Sequence, residues 1–175
     1  MTPGARVAAQ IDILEAILSG VPAEKALTNW ARGNRFAGSK DRAALRDLVF
    51  QALRCRRSAG AWPAPQSARG WAIGTLRAHG EDPNEFFTGI AHAPAALCAD
   101  DVTPAPSDRD RLDLQDWVID LLTQQYGAEQ TAKIGAVLRH RAPITLRVNL
   151  QKTTRAQLQA ELAKAEIETT PNLAS

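Results

Sequence analysis

Residues 36–57, FAGSKDRAALRDLVFQALRCRR, constrain this 175-residue chain more than any other stretch. Ser39 offers a helix cap, and Asp41 puts negative charge in the first turn, where the helix dipole favours it. Leu45, Leu48, Val49, Ala52 and Leu53 recur at helical spacing and make one wide apolar face. At 3.6 residues per turn, Arg42, Arg46 and Arg57 fall within about 60° of one another on a neighbouring face, and Arg54 lies further round. A fold built on this helix covers the first face with other helices and leaves the second to meet an anion.

Charge is unevenly spread. Residues 25–57 carry nine basic side chains (Lys25, Arg32, Arg35, Lys40, Arg42, Arg46, Arg54, Arg56, Arg57) against Asp41 and Asp47. Residues 99–120 reverse the balance, with seven aspartates against Arg109 and Arg111. The net charge of +2 therefore hides a local basic footprint of the kind that meets polyanions. No apolar run approaches the 18 or so residues of a membrane span. The N-terminus, MTPGARVAAQ, lacks the apolar segment of a secretion signal, so a cytoplasmic protein is expected. Cys55 and Cys98 form no C-x-x-C pair, and His79, His92 and His140 are remote from them in sequence. Neither a disulfide framework nor a zinc site is expected.

In chain order, Val7, Ile11, Leu14 and Leu18 mark an amphipathic helix over 5–19 that Gly20 ends. Pro22 opens a second helix, 22–32, burying Ala26, Leu27 and Trp30. Gly33, Asn34, Gly38 and Ser39 make the turn into the central helix, with Phe36 as an apolar plug. Pro63 and Pro65 break the chain after Arg57, and Trp62, just before them, is the aromatic residue with the best case for exposure, although plugging a gap suits it better. Helix resumes over 67–79 around Trp71, Ile73 and Leu76. Asp82-Pro83-Asn84-Glu85 reads as a capped short helix that places Phe86 and Phe87 on the bundle. An all-helical domain over 1–98 follows. Residues 99–112, acidic and holding two prolines, read as a linker. Asp113 and Asp116 open a helix with Leu114, Trp117, Leu121 and Leu122, closed by Gly127, and a further helix of about 128–140 holds Ala132, Val137 and Leu138. The pattern then alternates in ITLRVNL (144–150), a strand signal, with Arg147 and Asn149 on the face opposite the apolar residues. Thr154 and Gln157 make a capping box for a helix of about 155–165, and a short extended piece follows at 167–170. The expected fold is mainly α: a helical bundle, a linker, and in 113–175 two helices and the start of a small α/β subdomain that reads as truncated.

RFAGSKDRAALRDLVFQALRCRR resembles the central helix region of NusB-like RNA-binding domains. Together with HAPAAL (92–97), DWVIDLLTQQYG (116–127) and RAPITLRVN (141–149), the chain is similar to the N-terminal part of the ribosomal RNA small-subunit methyltransferase B family, also called Sun or Fmu. The resemblance implies a NusB-like helical domain, a small α/β RNA-binding subdomain, and an S-adenosylmethionine-dependent catalytic domain that methylates carbon 5 of cytosine in 16S rRNA. It implies 16S rRNA or the small-subunit particle, and that catalytic domain, as partners. The family's catalytic cysteine stands in a Pro-Cys-type motif. Here Cys55 lies in Arg-Cys-Arg and Cys98 in Leu-Cys-Ala, and no glycine-rich cofactor loop follows a strand. No catalytic, cofactor-binding or metal-binding residue is therefore assigned, and the segment alone is not expected to be catalytic.

The RNA-binding candidates are Arg32, Arg35, Lys40, Arg42, Arg46, Arg54, Arg56 and Arg57, because guanidinium forks match closely spaced phosphates. On charge alone, a solvated face with Arg–Asp pairs explains the same residues, for example Arg42 or Arg46 with Asp41 or Asp47. The resemblance favours RNA. Phe50, between Arg46 and Arg54, suits the core better than base stacking. Trp30, Trp71 and Trp117 sit on apolar stripes and are expected in the core. Flanking arginines favour a lowered Cys55 pKa, but no base accompanies it. Two other functions compete: a stand-alone NusB-like antitermination factor, which has no need of 113–175, and a basic helical module that binds an acidic protein.

Overall fold

The computed structural model describes residues 1–60, 67–101 and 105–172. Trp62, Pro63 and Pro65 lie outside them. The described residues are mainly helical: α1 (Pro3–Leu18), α2 (Ala23–Gly33), α3 (Ser39–Arg54), α4 (Ala68–Ala78), α5 (Asp116–Leu138) and α6 (Arg155–Lys164). The chain divides into two compact units, Met1–Arg141 and Ala142–Ser175.

The first unit is centred on α1, which packs against α2, α3 and α4. Thr2 caps it, accepting from the Ala5 amide at 3.2 Å, and Pro3 fills the first turn, where no amide is needed. The sequence placed the central element at 36–57, but α3 fully buries only Leu45, Val49 and Ala52. Along α1, Gly4, Ala5, Val7, Ala9, Gln10, Ile13 and Leu14 are all buried. Small residues explain the difference: a Cβ on Gly4 would stand 2.8 Å from that of Ala93, so neighbours close in on more than one side. Gln10, 1% exposed, spends its amide on the Leu48 carbonyl at 3.0 Å and ties α1 to α3.

Ser67 caps α4 through the Gly70 amide at 2.9 Å. Trp71 is buried and donates to the Ala52 carbonyl at 3.1 Å, so its indole is satisfied as well as packed. A Cβ at Gly74 would lie 1.9 Å from the Ala59 carbonyl oxygen, so only glycine lets the segment after α3 cross α4 there. Asp82 caps a 3-10 turn at Pro83–Glu85, and Phe87 beyond it is buried.

The stretch read as a linker is tied to the bundle. Arg69 clamps Asp101 with bonds of 2.7 Å from Nε and Nη2, and a second 3-10 turn, Asp110–Leu112, rests on Arg57. The first unit therefore runs through to Arg141 and does not stop near residue 98. Its acidic residues have little apolar surface to bury, but they meet arginines. Gly127 breaks α5 with φ 80° and ψ 164°, where the sequence separated two helices. Trp117, expected in the core, is 66% exposed, and Val137 and Leu138 are exposed too. Ile119, Thr131 and Gly135 are the buried positions of α5.

In the second unit, Thr154 and Gln157 form the anticipated capping box at the start of α6. Residues 144–150 and 167–170 form no ladder, and no strand occurs among the described residues. A strand exists only through hydrogen bonds to a neighbour, and no described segment supplies them. Ile144, Leu146 and Leu150 are exposed like Arg147 and Asn149, so the alternation separates no buried face.

Candidate nucleic-acid interface

The α2–α3 corner presents the first half of the basic stretch. Asn34 closes α2 by donating its amide and its Nδ2 to the Trp30 carbonyl, at 3.0 and 2.9 Å. The Ala37 amide bonds the Asn34 carbonyl at 3.1 Å, Ala37 is buried, and Arg42 Nε donates to the Ala37 carbonyl at 2.9 Å. The turn is therefore pinned at both ends. Gly38, not Ser39, occupies the cap position of α3, and Ser39 begins the helix. Phe36 is no plug: it is 73% exposed, its ring edge-on to half-buried Trp30 at 6.4 Å between centroids. Arg32, Arg35 and Lys40 are exposed and have no hydrogen-bond or ionic partner among the described residues. Arg46 pairs with Glu24, both half in solvent, and lies 5.8 Å above the ring of half-buried Phe50.

The other end of α3 differs. The helix stops at Arg54, with Cys55 as its cap, so Arg56 and Arg57 leave the helical wheel that aligned Arg57 with Arg42 and Arg46. Arg57 is 10% exposed: Nε and Nη2 donate to Asp110 at 3.0 and 2.8 Å, and Nη1 to Asp116 at 3.0 Å and the Leu114 carbonyl at 2.6 Å. Arg54 Nε donates to the Arg139 carbonyl at 3.2 Å. Arg56 lies 5.2 Å over the Trp71 ring.

Asp113 is the residue that sequence reasoning missed, having been read as a helix opener. Its side chain is 2% exposed. Its carboxylate accepts from the Arg57 and Ser58 amides at 3.0 and 2.9 Å, from Ser58 Oγ at 2.7 Å and from Arg139 Nε at 3.0 Å. Its backbone is left-handed, φ 54°, a conformation Asp tolerates better than most side chains. Aspartate density in 99–120 was the available signal. Which aspartate would be buried depends on where α3 ends.

The expected pairs of Arg42 and Arg46 with Asp41 and Asp47 do not form. Asp41 holds Arg6 and the N-terminal ammonium, and Asp47 meets Arg141. Hydrogen bonds from Arg6 and that ammonium lower the Asp41 pKa. Arg69 holds the Asp101 carboxyl well below the usual carboxylate range, and Ser107 followed by Arg57 lower Asp110. Burial by itself lowers the Arg57 pKa, and the bonds from Asp110 and Asp116 more than reverse it. Cys55 runs opposite to expectation. Desolvation pushes its thiol up to about 11, with Asp113 adding to the rise, so it is an inert core residue.

No group of three or more His, Cys, Asp or Glu among the described residues could hold a metal ion. No described helix is long and apolar enough to cross a membrane. The arrangement offers an exposed cationic corner and, at the far end of α3, arginines engaged within the fold.

Residues 114–175 match the family model described as the ferredoxin-like domain of RsmF/B-like methyltransferases. That stretch is similar to a methyltransferase-family domain. The match covers about a third of the chain and begins inside the first compact unit, upstream of α5. No curated protein and no solved structure matches the chain.

Proposed function

We propose that this chain is the RNA-docking N-terminal region of an S-adenosylmethionine-dependent 16S rRNA (cytosine-5) methyltransferase, with 1–98 as a NusB-like domain. The family match over 114–175 carries the methyltransferase part of this reading. The cationic α2–α3 corner supports the RNA part. Phosphates are held there by Arg32, Arg35 and Lys40, with Arg42 beside them and Arg46 available once its exposed pair with Glu24 opens. Arg54, Arg56 and Arg57 serve the interface indirectly, by fixing the end of α3. The cofactor would supply the methyl group, but no described strand leads into a glycine-rich turn, so these residues do not fit it and no chemical step is assigned to them.

A competition experiment tests this reading. The chain is bound to a structured 16S rRNA fragment and challenged with unlabelled fragment, scrambled RNA or heparin. Displacement by the unlabelled fragment at concentrations where scrambled RNA fails supports rRNA docking. Equal displacement by all three contradicts it and leaves a general polyanion surface.

A further inference from the structure

The α2–α3 corner combines an exposed aromatic ring with cations that have no partner among the described residues. Phe36 is 73% exposed, although it is an apolar side chain in a turn whose neighbour Ala37 is buried. Its ring is held edge-on against Trp30, at 76° between planes. The turn that carries it is fixed by the Asn34–Trp30, Ala37–Asn34 and Arg42–Ala37 bonds. A ring held this way loses little conformational freedom when something stacks on it. Arg32, Arg35 and Lys40 come from the end of α2, the turn itself and the first turn of α3. They bracket Phe36 in sequence and bring positive charge to the same corner.

We propose that Phe36 is a base-stacking platform, so that the corner takes an unpaired nucleotide of RNA, with Arg32, Arg35 and Lys40 holding the flanking phosphates. This inference rests on the RNA-docking reading and narrows it to single-stranded segments, loops or bulges. A paired helix keeps its bases stacked on each other and offers the ring nothing, whereas an unpaired base brings a free π face. Phe36 gives no hydrogen-bond readout, so the site selects for strand state more than for base identity. The Trp30 contact makes Trp30 a positioning residue for the ring.

The test uses the whole 175-residue chain. Its affinity is measured for two RNAs of equal charge, a hairpin with an unpaired loop and a fully paired duplex, with wild type, Phe36→Leu, Phe36→Tyr and Arg35→Ala. Losing one base–aromatic stack corresponds to roughly a 5- to 150-fold loss of affinity. We expect Phe36→Leu to lose affinity on that scale for the hairpin, with an unchanged salt slope and unchanged duplex binding. Phe36→Tyr retains hairpin binding, and Arg35→Ala weakens both RNAs and flattens both salt slopes. Thermal melting of Phe36→Leu should match wild type, because the side chain is exposed. Hairpin binding by Phe36→Leu equal to wild type overturns stacking while leaving RNA docking intact. Equal losses for hairpin and duplex also overturn it. Wild type that binds neither RNA overturns both readings together.

Discussion

The two ends of α3 carry the same kind of sequence and behave differently. At the start, Arg32, Arg35 and Lys40 project from a pinned turn with no partner among the described residues. At the finish, Arg57 has four hydrogen bonds to Asp110, Asp116 and Leu114 and is almost buried. A basic run is thus not one patch. The aspartates that meet it arrive from 110–116, far along the chain, and they neutralise only the end they reach. An arginine count measures how much charge is present, and the partners decide how much of it faces a ligand.

Substitutions at the engaged end should break the fold first. Asp113→Ala takes the acceptor from Arg139 Nε, from the Arg57 and Ser58 amides and from Ser58 Oγ, and each buried donor left unpaired costs about 1–3 kcal/mol. Urea denaturation would report this as a large fall in midpoint. A midpoint equal to wild type would mean the carboxylate is dispensable. Gly74→Ala is the next largest, about 3 kcal/mol by overpacking, because its Cβ would meet the Ala59 carbonyl. A thermal melt would show it as a lower Tm. Ala59 follows directly on Arg57 and Ser58, so this substitution also disturbs the segment that Asp113 grips.

Acid acts on the engaged end in a milder way. The folded-state pKa values of Asp101 and Asp110 are lowered, so their contribution is complete above the ordinary aspartate range, roughly pH 4. It is lost as pH falls through the lower folded values. Stability measured from neutral pH downward should therefore hold and then decline. Arg57→Met should be less stable at neutral pH and show a shallower decline. An identical acid limb in that variant would remove Arg57 from the cause. Arg32→Ala, Arg35→Ala and Lys40→Ala combined should change stability by less than about 0.5 kcal/mol, as exposed substitutions away from pairs do. A marked loss in a chemical melt would show that the corner is structural after all.

What the sequence made legible was local. The capping box of α6 needs only Thr154 and Gln157, the break at Gly127 only a positive φ, and the α4 core only its own periodicity. What failed depended on distant residues. Arg57 was placed by continuing a helical wheel past the point where the helix ends. Trp117 lies on an apolar stripe that nothing in the first unit fully covers. Residues 144–150 have a strand's pattern without a described partner. Cys55 beside two arginines suggested a lowered thiol pKa, but desolvation by burial raises it instead. For the basic stretch, the sequence showed the cations and no means of sorting exposed from engaged ones. Phe36 was misassigned because exposure of a turn residue depends on whether its neighbours already fill the core.

The most direct test of the two-ended account is the salt dependence of 16S rRNA-fragment binding by the Arg32→Ala/Arg35→Ala/Lys40→Ala variant against wild type. Each phosphate contact contributes roughly 0.7–0.9 to the slope of log K against log salt. The account predicts weaker binding and a slope shallower by about 2–3. Parallel lines at equal affinity would contradict it and move RNA contact away from the corner.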